Sequence, residues 1–82
     1  MSKPRLLVVD DEAGVRRWTA KFLVKEGYDV DMAADGAEAL RIVLERAPAL
    51  IITDLNMPNM DGMDLLRRVR ASNPEVSVVV AT

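Results

Sequence analysis

The sequence predicts an α/β fold built on an open parallel sheet, and three observations carry that expectation. Leu6-Leu7-Val8-Val9 stops at Asp10-Asp11, and Leu50-Ile51-Ile52-Thr53 stops at Asp54. A short aliphatic run closed by an acid reads as a strand covered on both faces, its acid just beyond the C-terminal end. These runs alternate with stretches of helical periodicity over short connections, the pattern of right-handed βαβ crossovers.

Taken in order, residues 5–9 are the first strand. A helix over 13–26 follows, with Val15, Trp18, Thr19, Phe22 and Leu23 at i, i+3, i+4, i+7, i+8 spacing. Gly27 ends it, where a left-handed residue is best tolerated. In 28–33, Tyr28, Val30 and Met32 alternate with Asp29 and Asp31, which suits a half-exposed edge strand. Asp35 and Glu38 have capping-box spacing for a second helix that turns Ala39, Leu40, Val43, Leu44 and Ala47 inward before Pro48 stops it. Residues 50–53 are the third strand. Asp61 caps a third helix over 62–72, with Leu65, Leu66 and Val69 inward and Asn73-Pro74 at its end. Residues 76–81, with three consecutive valines, form a fourth buried strand.

Composition narrows the chemistry. Eighty-two residues make one small domain, and 50% of them are apolar, a high share for so short a chain. The absence of cysteine and histidine removes disulfides, thiolate and imidazole ligands, imidazole bases and phosphohistidine. A net charge of −2, with basic residues spread along helices, gives no footprint for direct nucleic-acid binding. Met1-Ser2-Lys3-Pro4-Arg5 leads into no long apolar segment, so neither a signal peptide nor a membrane span is expected. The chain reads as soluble and cytoplasmic.

If the first and third strands are neighbours, Asp10, Asp11 and Asp54 converge at the sheet edge where ligands bind in parallel α/β folds. Three close carboxylates repel unless a cation neutralises them. Hard oxygen donors alone suit Mg²⁺ or Mn²⁺, and Mg²⁺ tends to complete its shell with water and phosphate oxygens. A carboxylate can itself be a phosphoryl nucleophile. Asp54, the single acid at its strand end, suits that role, leaving Asp10 and Asp11 for the cation. As a plainer reading, an acid after a strand can simply decorate the next helix N-terminus. The Arg16-Arg17 and Arg67-Arg68 pairs read as solvated helix faces, and Trp18 as packing on the apolar face of the first helix.

Three segments together resemble the receiver domain of bacterial two-component response regulators: Val8-Val9-Asp10-Asp11-Glu12, Asp54-Leu55-Asn56-Met57-Pro58-Asn59-Met60-Asp61-Gly62, and Val78-Val79-Val80-Ala81-Thr82. The resemblance implies a flavodoxin-like sheet of order 2-1-3-4-5, here reaching its first four strands and three helices. It implies that Asp54 is the phosphoacceptor and that Asp10, Asp11, Asp54 and the backbone carbonyl of Asn56 hold Mg²⁺, with Mn²⁺ as a substitute. Thr82 matches the hydroxyl residue that contacts the phosphoryl group. The implied partner is a sensor histidine kinase or histidine phosphotransferase, and the implied role is signalling rather than classical enzyme catalysis.

Relative to that family pattern, 1–82 is expected to be an incomplete receiver, without the fourth helix, the fifth strand with its phosphate-pairing lysine, and the fifth helix. The fourth strand would then be an open apolar edge, and the sheet face beside it uncovered, so a homodimer or higher oligomer is expected. Weak Mg²⁺ binding and poor phosphorylation follow from a missing lysine. A shortened, phosphorylation-deficient module acting by self-association or partner binding is the alternative. A phosphatase of the haloacid-dehalogenase kind is disfavoured, since it wants an acid two residues after the nucleophile and position 56 is Asn.

Overall fold

The computed structural model describes residues 3–54, 57 and 60–81. Along the chain come β1 (Arg5–Val9), α1 (Ala13–Lys25), β2 (Asp29–Ala33), α2 (Gly36–Glu45), β3 (Leu50–Asp54), α3 (Gly62–Ser72) and β4 (Ser77–Ala81). The four strands form one parallel sheet in the order β2-β1-β3-β4, the expected flavodoxin-like arrangement. β1 lies inside the sheet, and Leu6, Leu7, Val8 and Val9 are all buried.

Successive strand residues face opposite sides of a sheet. Leu7 and Val9 of β1 and Ile51 of β3 join Ala39 and Val43 of α2 and Leu65 and Val69 of α3 in the main core. α2 and α3 therefore share one face. Leu6 and Val8 turn to the other, where α1 lies against β1 and β2 with Ala20 as its buried residue.

The helix ends follow the capping signals. Asp35 Oδ1 accepts from the Glu38 amide at 2.8 Å, and Glu38 Oε1 reaches back to the Ala34 amide at 3.2 Å. Asp61 Oδ1 accepts from the Asp64 amide at 2.9 Å. Such caps satisfy amides that a helix cannot serve internally, each worth about 1 kcal/mol. Gly27 has φ of 99°, the left-handed geometry that ends α1.

Side-chain placement departs from the sequence reading in three places. In α1, Trp18 is 71% exposed and stacks on Phe22, ring centroids 6.2 Å apart, instead of packing on the sheet. At 100° per residue these two sit opposite Ala20, and the small Ala20 marks the side by which the helix approaches. In α2, Leu44 is exposed while Ile42 packs on the core, the two lying on opposite sides of the buried Val43, and Ala47 is exposed beyond the helix, which ends at Glu45. In β2, Met32 is exposed, whereas Asp31 is drawn in by Arg46 at 2.9 Å and Arg5 at 3.9 Å. Among the described residues β4 lies at the sheet edge, as expected of the first four strands, with Val79 49% exposed.

At Gly36 the fold leaves no room for a side chain. A Cβ there would meet the Cβ and Cγ of Met60 at 2.9 Å and its Sδ at 2.7 Å. Replacing a helical glycine by alanine ordinarily stabilises by up to about 1 kcal/mol. At this position the sign should reverse, because Met60 must move bodily. Gly36→Ala is expected to cost about 1–3 kcal/mol in denaturant unfolding, and Met60→Ala should cost less in that background than in wild type. A stabilised Gly36→Ala protein would contradict the packing described.

Candidate metal centre

The register of β1 and β3 builds the site. Leu6 pairs with Leu50, Leu7 with Ile51, Val8 with Ile52 and Val9 with Thr53. One step further along, Asp10 leaves the end of β1 beside Asp54, the last residue of β3. Neighbouring strands lie roughly 4.8 Å apart, so parallel pairing alone sets these two acids side by side. Asp11 follows in the turn to α1. One carboxylate oxygen from each of Asp10, Asp11 and Asp54 lies within 4.8 Å of the others. Asp11 is exposed and the other two are half-buried. A cleft of about 370 Å³ opens beside them, lined by Val8, Glu12, Val15, Thr19, Ile52 and Thr53 in addition to Asp10 and Asp54.

Asp10 is fixed at three atoms. Its amide donates to the Ala33 carbonyl at 3.2 Å, tying the turn to β2. Its Oδ1 accepts from the Glu12 amide at 2.9 Å. Its carbonyl oxygen accepts from the Arg16 guanidinium at 2.7 Å. At β3, Thr53 is buried and donates its hydroxyl to the Asp54 carbonyl at 3.1 Å. After Asp54, Met57 is anchored in the main core.

The donor set fits a hard divalent cation. Mg²⁺–oxygen bonds of about 2 Å let two ligands of one shell lie roughly 3–4 Å apart. Oxygens already within 4.8 Å of one another need only modest side-chain rotation to share one ion. Carboxylates 4–5 Å apart repel by about 1 kcal/mol per pair in water and more where solvent is displaced, so the cluster is organised for positive charge.

The three acids expected from the sequence are thus brought together. Asn56 and Thr82, expected as backbone ligand and phosphate-contacting hydroxyl, lie outside the described residues. Arg16 is the residue that sequence reasoning missed. It was read with Arg17 as solvated, yet it is half-buried and bonded to the site, while Arg17 is exposed. The helical period gave only a partial signal: Arg16 and Arg17, four and three residues before Ala20, both fall on its side of α1.

The family model described as "Response regulator receiver domain" matches residues 6–82. Sporulation initiation phosphotransferase F of Bacillus subtilis is 35% identical over 82 residues, covering all of this chain and 66% of the relative. Transcriptional regulatory protein PrrA of Mycobacterium leprae is 42% identical over 80 residues, 98% of this chain and 34% of the relative. The chain therefore spans about two-thirds of the first of these proteins and about a third of the second. Among solved structures, the chemotaxis response regulator CheY4 of Vibrio cholerae superimposes with a TM-score of 0.92 at 32% identity, covering 96% of this chain and 68% of that one. A response regulator receiver protein from Pseudomonas putida gives 0.88 at 37% identity, with 99% and 69% covered.

Removing one charge from the cluster should relieve repulsion. Asp54→Asn is expected to raise the thermal midpoint of the metal-free protein by a few degrees, about 1 kcal/mol. The same change should shrink the stabilisation gained on adding Mg²⁺. An unchanged Mg²⁺-induced shift would exclude Asp54 from the cation site.

Proposed function

Because this chain belongs to the response regulator receiver domain family, we propose that Asp54 accepts a phosphoryl group from a partner histidine kinase or histidine phosphotransferase, with Mg²⁺ as cofactor. One observation carries the reading: three carboxylates from the ends of two adjacent parallel strands meet within 4.8 Å. The cation would be held by Asp10, Asp11 and Asp54, together with the backbone carbonyl of Asn56 expected from the family; Mn²⁺ would serve in its place. When bound, it supplies positive charge that shields the attacking carboxylate from the phosphoryl oxygens.

The chain's own residues do the rest. An Asp54 carboxylate oxygen attacks phosphorus, the bond from phosphorus to the donor nitrogen breaks, and an acyl phosphate forms on Asp54. Asp10, held at its amide, carbonyl and Oδ1, keeps the metal-binding turn in place while charge moves. Thr82 would meet the phosphoryl oxygens through its hydroxyl. The module transmits a signal rather than turning over a substrate, and water releases the phosphate. A cytoplasmic setting fits, and among the described residues no helix is long and apolar enough to cross a membrane.

A second reading rests on β4. Among the described residues β4 pairs only with β3, and Val79 on it is 49% exposed. An open edge of this composition is a template for another strand. The 82-residue polypeptide would associate through it into a homodimer or larger oligomer.

Acetyl phosphate with Mg²⁺ should phosphorylate only a small fraction of the chains, seen by intact-mass spectrometry as one added phosphoryl group that disappears with EDTA or in Asp54→Asn. Modification that persists in Asp54→Asn would refute the acceptor assignment. For the second reading, light scattering after size exclusion at micromolar concentration should give more than one chain per particle, reduced towards one by Val79→Lys. A sharp wild-type monomer peak would refute it.

A further inference from the structure

The β1–α1 turn presents two of the three acids, and a side chain outside the acid cluster is bonded to it. Arg16 Nη1 donates to the Asp10 carbonyl oxygen at 2.7 Å across six residues of chain. The same Asp10 uses Oδ1 to accept from the Glu12 amide at 2.9 Å. These two bonds close the turn from opposite sides, one on the main chain and one on the carboxylate, with Asp11 between them. The Arg16 amide also donates to the Glu12 carbonyl at 2.9 Å, placing Arg16 in the first turn of α1. No side-chain cap serves that helix end: Glu12, at the N-cap position, makes no capping bond. The entry into α1 thus lacks the accepting cap that Asp35 and Asp61 give α2 and α3, and the guanidinium holds the turn from the other side, as donor to the Asp10 carbonyl.

We infer that Arg16 is a positioning residue that sets the cation affinity of the acid cluster by locking the Asp10 carbonyl; this rests on the metal reading of the site. Two effects of opposite sign act there. As a positive charge near the site, Arg16 opposes cation binding, an effect that salt screens only in part because Arg16 is half-buried. As a charge-assisted hydrogen-bond donor, it fixes the backbone from which Asp10 and Asp11 project. Residues that orient metal ligands ordinarily change affinity by about 10–100-fold when removed, so positioning outweighs repulsion. Arg17, the adjacent arginine with the same formal charge, is exposed and provides the internal comparison.

The test compares wild type with Arg16→Ala, Arg16→Gln, Arg16→Lys and Arg17→Ala by two readouts at physiological ionic strength. These are Mg²⁺ titration followed by amide chemical shifts, and hydrogen exchange of the Glu12 amide without metal. Arg16→Ala and Arg16→Gln should weaken Mg²⁺ binding roughly tenfold and speed Glu12 exchange, with unfolding still cooperative. Arg16→Lys, which keeps a cationic donor without the planar fork, should fall between. Arg17→Ala should match wild type in exchange and bind Mg²⁺ no more weakly. Wild-type affinity and exchange in Arg16→Ala would overturn the inference, as would tighter Mg²⁺ binding, which marks Arg16 as a repelling charge alone. Should one variant fail to fold, the other neutral variant decides. If wild type itself binds no Mg²⁺, the metal reading fails and the inferred affinity role with it; the metal-free exchange then shows separately whether Arg16 locks the turn.

Discussion

The parallel pairing of β1 with β3 is the constraint on which everything else depends. It joins residues more than forty positions apart in sequence and sets which side chains share a row. Because side chains alternate with period two, a slip of β3 by one residue against β1 would put Leu50 or Ile52 in the place of Ile51 on the core face. It would also displace Asp54 from Asp10. The burial that fixes the core therefore fixes the acid cluster, and the site inherits its geometry from apolar packing on α2 and α3.

That packing works against an electrostatic cost. Three carboxylates held close at the rim of a sheet repel one another, and main-chain bonds fix the turn that carries two of them. Asp10 is bonded at its amide, carbonyl and one carboxylate oxygen, while Thr53 is buried directly behind Asp54. The anchors fix the main chain from which the acids project, so the cluster is set by the backbone while its side chains can still turn. The receiver family match agrees with this site at the level of fold and signalling role.

Much of this was legible in the sequence, for physical reasons. The aliphatic runs before Asp10 and Asp54, the Asp35 and Asp61 caps and Gly27 are local signals, and each one marks an element boundary to within a residue or two. What escaped was orientation. Trp18 and Phe22 belong to an apolar stripe by spacing, yet the side of α1 that meets the sheet is chosen by the small Ala20, which permits close approach. The same rotation draws Arg16 inward and leaves Arg17 outside, a distinction invisible in an Arg-Arg pair. The exposure of Leu44 was likewise decided by neighbours in space rather than by the residue itself.

Paramagnetic broadening by Mn²⁺ tests most directly whether the acid cluster is the cation site. At low Mn²⁺, amide signals of Asp10, Asp11, Glu12, Thr53 and Asp54 should broaden first. Those near Asp29 and Glu75, acids lining a cleft with Lys3 and Arg5 where the strands begin, should stay sharp, and excess Mg²⁺ should reverse the effect. Equal broadening at both ends of the sheet, or broadening centred on Asp29 and Glu75, would contradict the account.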